Sequence, residues 1–189
     1  MTFSGNLLGL DVSTNIIGYT ILTDEGKQIE SGFCDLDAKK STVQKAAQFH
    51  ETLREIDDRY HISSVWIEEP FMMFAKGGSS AQTMAKLSSF NGMIQYACLD
   101  VFRFDPNMIN ANHARKTLGI KIQREKICGV STKEQILSWV KTQIPQFAWP
   151  TKTLKSGPRK GLTIPAPSCY DIADSFVVAR SGFVKSNSP

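Results

Sequence analysis

The sequence predicts an α/β fold: a five-stranded mixed sheet, with three antiparallel strands followed by parallel ones, flanked by helices on both faces. Three observations predict it. First, two apolar runs, Leu7–Leu10 and Ile16–Leu22, are separated by the polar turn Asp11 to Asn15, and a third run spans Gln28 to Cys34 beyond the turn at Asp24–Gly26. Short runs rich in β-branched and aromatic residues, broken by turn residues, read as an antiparallel meander. Second, a helical stretch leads into another short apolar strand, Ser64 to Glu68. A strand reached through a crossover helix runs parallel to its neighbour. Third, the rest of the chain is mostly helical in period.

The elements follow in order. Leu7 to Leu10 is nearly all apolar, as expected of a central strand covered on both faces. Ser41-Thr-Val-Gln44 forms a capping box that starts a helix to about Tyr60, with Phe49, Leu53, Ile56 and Tyr60 at helical spacing. Pro70 ends the crossover strand. After Gly77-Gly78 comes a long helix, roughly Ser80 to Leu99, with a row of small residues at Ala81, Ala85, Ser88, Ser89 and Gly92. Close packing against a second subunit and close packing within one chain both explain such a row. Val101–Phe104 reads as the fifth strand, Asn110–Leu118 as a short helix and 119–130 as a basic connector. Ser131-Thr-Lys-Glu134 is a second capping box, opening a helix to Ile144. Residues 145–167 form a long basic loop punctuated by proline and glycine, and Ser168 opens a terminal helix through Val178. The expected organisation is one domain over 1–184 with a frayed tail at 185–189.

Composition excludes several classes. No apolar run approaches the ~20 residues that span a bilayer, and the first residues lack a signal-peptide pattern, so an intracellular setting without membrane partners is expected. Cys34, Cys98, Cys128 and Cys169 are scattered, which disfavours a disulfide framework or a structural zinc site. Net charge is +4 but lopsided. Residues 1–114 carry 9 Lys/Arg against 14 Asp/Glu, and residues 115–189 carry 13 against 4. From Arg115 to Lys160 only Glu125 and Glu134 oppose eleven cations. A solvated face and a polyanionic partner such as nucleic acid both account for that.

The acids carry the chemistry. Asp11 follows a buried strand, where a bare carboxylate is costly unless paired, although it could also cap the turn with Ser13 and Thr14. Glu68 ends the crossover strand, which places it at the same sheet end. Asp171 and Asp174 stand at i and i+3 on one face of the last helix. As an isolated pair they equally fit a helix N-terminus, which favours acids. Carboxylates gathered within a few ångströms take up protons or collect divalent cations. Oxygen-only ligands select Mg²⁺ or Mn²⁺, and two such ions about 3.5–4 Å apart serve phosphodiester hydrolysis.

On these residues the chain resembles the RuvC-type Holliday junction resolvases of the ribonuclease H-like superfamily. The resemblance rests on Leu-Gly-Leu-Asp11 followed by Gly18-Tyr, on Trp66-Ile-Glu68-Glu-Pro-Phe71, and on Asp171-Ile-Ala-Asp174-Ser. It implies that Asp11, Glu68, Asp171 and Asp174 are the catalytic, metal-binding tetrad of a dimeric endonuclease. That enzyme would nick a four-way DNA junction symmetrically with two Mg²⁺ ions (Mn²⁺ substituting) and no small-molecule cofactor. Phe71 occupies the position of the family's aromatic wedge. Lys116 and Lys133 are the nearest matches to its basic residues, and the long helix after Gly78 matches its dimer element. Lys76, Arg115, Lys155, Arg159 and Lys160 complete the expected DNA contacts. The segments 119–130 and 145–167 look longer than in bacterial members, in a way reminiscent of viral or organellar ones. Glu69 is an extra acid expected to face the other side of the strand. The alternatives are a broader flap or branched-DNA nuclease, an RNA-processing nuclease on the same fold, and an actin-like ATPase or kinase fragment suggested by Gly9-Leu-Asp11-Val-Ser-Thr14.

Overall fold

Alternation along the first strand organises the molecule. In a computed structural model that describes residues 5–70 and 81–188, β1 (Asn6–Val12) is the middle strand of a five-stranded sheet. Its neighbours are β2 (Ile16–Leu22) and β4 (Ile62–Glu68), with β3 (Gln28–Asp35) and β5 (Asn107–Ile109) at the edges, in the order β3-β2-β1-β4-β5. The β1–β2 and β2–β3 pairs are antiparallel, and the β1–β4 and β4–β5 pairs are parallel. Successive side chains of a strand point to opposite faces. Leu8 and Leu10 therefore enter one core, and Leu7 enters the other.

The first core is closed by α1 (Thr42–Arg59) and α2 (Ala81–Phe102), through Phe49, Leu53, Ile56, Phe90 and Ile94. The second is closed by α3 (Ala111–Thr117), α5 (Thr132–Gln143) and α6 (Ser168–Ser186), through Ala114, Ile136, Leu137, Val140, Phe176 and Val177. Helices thus cover both faces of the mixed sheet, as expected. Both capping boxes form, at Ser41 with Gln44 and at Ser131 with Glu134.

Four elements differ from expectation. Val101 and Phe102 do not start a strand: they complete α2, whose apolar period carries Phe102 into the core, and Arg103 stops the helix at φ 66°. The fifth strand begins only after Pro106, at Asn107. The connector holds a one-turn helix, α4 (Glu125–Cys128). The segment expected as irregular loop contains an antiparallel pair, β6 (Thr151–Thr153) with β7 (Thr163–Pro165). The terminal helix continues beyond Val178 to Ser186 because Ala179, Ser181 and Gly182 are also buried against the sheet. Among the described residues no helix is long and apolar enough to cross a membrane.

Candidate active site

The same alternation aims the acids. Leu7, Gly9 and Asp11 lie on the α6 side of β1, and Trp66 and Glu68 lie on the α6 side of β4. Leu10 pairs with Ile67, so the next residues, Asp11 and Glu68, stand side by side at the same end of two parallel strands. Glu69 lies past the strand end and is exposed.

The turn after Asp11 does not need the carboxylate. Ser13 Oγ donates to the Ile16 carbonyl (2.7 Å) and accepts from the Ile16 amide (3.1 Å). The buried Lys45 of α1 donates to the Thr14 carbonyl at 2.6 Å. Ser13 rather than Asp11 is the capping residue, which leaves Asp11 for another role.

α6 supplies the second pair of acids, and glycines let it come close. A Cβ at Gly9 would fall 2.5 Å from the Ala179 backbone, and one at Gly18 would overlap the carbonyl of Asp171. Gly18 is also the register partner of Asp11 in β1–β2. One glycine thus lies between Asp11 and the first turn of α6. A buried hydroxyl chain holds the same contact: Thr20 Oγ1 lies 2.9 Å from both Ser31 Oγ and Ser175 Oγ, and Ser175 donates to the Ile172 carbonyl at 2.8 Å. Ser175 directly follows Asp174.

The acids lie near enough to act on one another, most of all on Asp11. Burial, then Glu68, Asp174 and Asp171, hold the Asp11 carboxyl well above its usual range. Glu68 is pushed up to about 7 by burial and by Asp174, and Asp174 up to about 6 by burial with a push from Asp171. Burial also raises Asp171. Lys133 lowers all of these values, and Arg115 lowers those of Glu68 and Asp174. None of the tetrad belongs to an ion pair among the described residues.

This is a cluster of repelling, half-buried oxygens with two cations beside it but not bonded to it. A hard divalent ion fits that donor set, because it would relieve the repulsion that now favours protonation. Among the described residues no three acids, histidines or cysteines are already gathered tightly enough to hold an ion, so the side chains would have to close around one.

No protein-family model matches the chain. Among curated proteins it is 28% identical over 110 residues to a crossover junction endodeoxyribonuclease RuvC from Cytophaga hutchinsonii, a match covering 54% of this chain and 52% of that one. The match therefore spans about half the length of that relative. Among solved structures, Thermus thermophilus RuvC in complex with a Holliday junction substrate superposes with a TM-score of 0.64 at 14% identity, over 96% of this chain and 94% of that one. The fold is that of RuvC. T. thermophilus RuvC alone gives 0.61 at 16% identity (96% and 95% covered), and a yeast mitochondrial Holliday junction resolvase 0.51 at 12% (97% and 82% covered). The RuvC fold is ribonuclease H-like, in agreement with the resemblance read from the sequence.

The remaining expected contacts divide. Arg115 and Lys133 face the acids. Lys116 acts on none of them and instead lines a cavity of about 530 Å³ with Arg115, Asn112 and Lys121. Lys155, Arg159 and Lys160 are exposed beyond β6, outside the acidic cluster. Phe71 and Lys76 lie outside the described residues. Asn112 and Lys121, which line that cavity, are not among the expected contacts, although Lys121 belongs to the run of cations from Arg115 onward. The reason for the glycine in Gly18-Tyr lies in the close approach of α6, which belongs to tertiary packing.

Proposed function

We propose that this protein is a Holliday junction resolvase, a metal-dependent endonuclease that nicks four-way DNA junctions symmetrically. The observation that carries the reading is that Asp11 and Glu68 end two neighbouring parallel strands of a RuvC fold, while the start of α6, which bears Asp171 and Asp174, packs against Gly18 beside Asp11. A solved relative with that fold is in complex with a Holliday junction substrate.

Asp11, at the centre of the mutual repulsion, would hold two Mg²⁺ ions together with Glu68, Asp171 and Asp174, with Mn²⁺ as a substitute. When bound, such ions lower the pKa of water and stabilise the attacking and leaving oxygens of a phosphodiester. The chain's own residues do the positioning. Gly18 and the Thr20–Ser175 contact hold the acids of α6 against β1 and β2. Lys133, and Arg115 at Glu68 and Asp174, partly oppose the rise of the carboxyls and would offer positive charge to the phosphate being cut. The cavity lined by Arg115, Lys116 and Lys121 suits a neighbouring phosphate.

Symmetric cutting calls for two active sites, and an isologous dimer supplies them. The small-residue row supports this, because Ala81, Ala85, Ser89 and Gly92 of α2 are exposed in the single chain. Beside them Tyr96 is 69% exposed and Val43 of α1 63%, around a cavity of about 620 Å³. Residues 1–184 would be the single nuclease domain, acting inside the cell where branched DNA arises in recombination and repair.

The test is nicking of a labelled immobile junction in Mg²⁺, beside a flap, a plain duplex and a structured RNA. Paired symmetric nicks confined to the junction support the resolvase. Equal cutting of the flap makes it a broader branched-DNA nuclease, and cutting of RNA alone overturns the DNA assignment.

A further inference from the structure

The β6–β7 ribbon is built well but buries almost nothing. Thr151 pairs with Pro165, Lys152 with Ile164 and Thr153 with Thr163. The tip is closed by hydrogen bonds from the Leu154 amide to Leu162 O (3.0 Å), from Gly161 to Leu154 O (2.9 Å) and from Lys160 to Gly157 O (3.0 Å). Gly157 and Gly161 supply the positive φ that this tip needs, at 80° and 89°. From Thr151 to Pro165 only Leu154 and Ile164 are even partly covered, and Leu162 is 54% exposed. An isolated two-stranded hairpin is marginal in water. This one carries Lys152, Lys155, Arg159 and Lys160 with no acid to offset them.

Its base, by contrast, is anchored. The Ala166 amide and the Cys169 thiol both donate to the Pro150 carbonyl at 3.0 Å. Trp149 packs edge-on against Phe147 with 4.9 Å between ring centroids, and Lys141 of α5 lies over the Trp149 ring. Cys169 is two residues from Asp171. The ribbon therefore projects from the first turn of the helix that carries half of the acids. Between it and α5 is a cavity of about 600 Å³ lined by Glu134, Lys141, Arg159, Ile164 and Tyr170.

We propose that this ribbon is a duplex-binding arm: it lies along the major groove of one double-stranded arm of the substrate and contacts phosphates there through Lys152, Lys155, Arg159 and Lys160. The occupant follows from shape and charge. The major groove admits a two-stranded β-ribbon, and clustered Lys and Arg pair with phosphates without reading sequence. At ~3.3 Å per residue the ribbon reaches about 20 Å from its base, roughly six base pairs of duplex. The arm holds the substrate and does not cut it. This inference rests on the DNA-nuclease reading, but its test does not require cleavage.

The experiment measures affinity for a four-way junction, a plain duplex and an RNA hairpin in Ca²⁺ across about 50–200 mM salt. It compares the wild type with the combined Lys152→Ala, Lys155→Ala, Arg159→Ala, Lys160→Ala variant, and with a charge-preserving variant that exchanges Lys and Arg at these positions. Cleavage at saturating enzyme in Mg²⁺ is read alongside. The alanine variant should bind junction and duplex at least about tenfold more weakly, with a log–log salt slope shallower by about 3. The exchanged variant should bind as the wild type does. Unchanged affinity and slope in the alanine variant overturn the arm, as does a loss confined to RNA. A wild type that binds duplex through the ribbon and cuts no DNA would defeat the resolvase reading and leave this one standing.

Discussion

The α-carbon of Gly18 faces the backbone carbonyl of Asp171 so closely that any side chain there would overlap it. Because Gly18 is also the strand partner of Asp11, this one contact sets how near the acids of α6 come to the acid of β1. Gly18→Ala should cost about 1–3 kcal/mol through overpacking. Thermal melting and saturated cleavage would be read together. Cleavage is expected to fall at least tenfold at temperatures where the variant is still folded, because Asp171 is displaced. Full activity in a folded Gly18→Ala protein would show that the spacing is not critical.

The pH dependence of the metal-free protein follows from the raised carboxyls. Glu68 moves from an ordinary value of 4.5 to about 7, and Asp174 from 3.8 to about 6. In that window the folded state binds more protons than the unfolded chain, so stability is fully present at low pH and is lost as pH rises through the folded values. With divalent ions chelated, the melting temperature should be higher at pH 5.5 than at pH 8, by about 2–4 °C for each kcal/mol involved. Excess Mg²⁺ should shrink or reverse the slope, since the ion favours the ionised forms. A flat metal-free profile between those pH values would contradict the clustering.

Lys133 opposes the raised pKa of every member of the tetrad, whereas Lys116 opposes none. Lys133→Met should move the rising limb of the pH–activity profile to higher pH by about one unit or less, and lower the rate below it. Lys116→Ala should weaken substrate binding and leave the profile in place. If the two variants shift the profile equally, the division between these lysines is wrong.

Tyr96 is exposed on α2, one turn beyond Gly92 at the end of the small-residue row. Tyr96→Glu should yield a monomer by solution mass and replace paired nicks with single ones. A Tyr96→Glu protein that remains dimeric would place the subunit contact elsewhere.

Much of this was legible from residue pattern alone. The helix before Ser64–Glu68 makes that strand parallel to Leu7–Leu10, which puts Asp11 and Glu68 at one sheet end, and the i, i+3 spacing puts Asp171 and Asp174 on one helix face. What stayed hidden depends on tertiary contact or on short elements. Val101–Phe104 is apolar enough for a strand, and only the packing of Phe102 shows that it finishes a helix. The strands of the basic ribbon are three residues each, one ending in Pro165, too short for a periodic signal. The nearness of Gly18 to Asp171 arises from elements more than 150 residues apart in the chain.

The central claim is that Asp11 and its neighbours hold the ions that cut DNA. Cleavage and binding of a four-way junction by Asp11→Asn, measured beside the wild type at saturating enzyme, test it most directly. The predicted result is a loss of cleavage of more than ~100-fold, with junction affinity within a few-fold of the wild type and a higher melting temperature for the metal-free variant, from which one repelling charge has been removed. An Asp11→Asn protein that cuts at close to the wild-type rate would contradict the account.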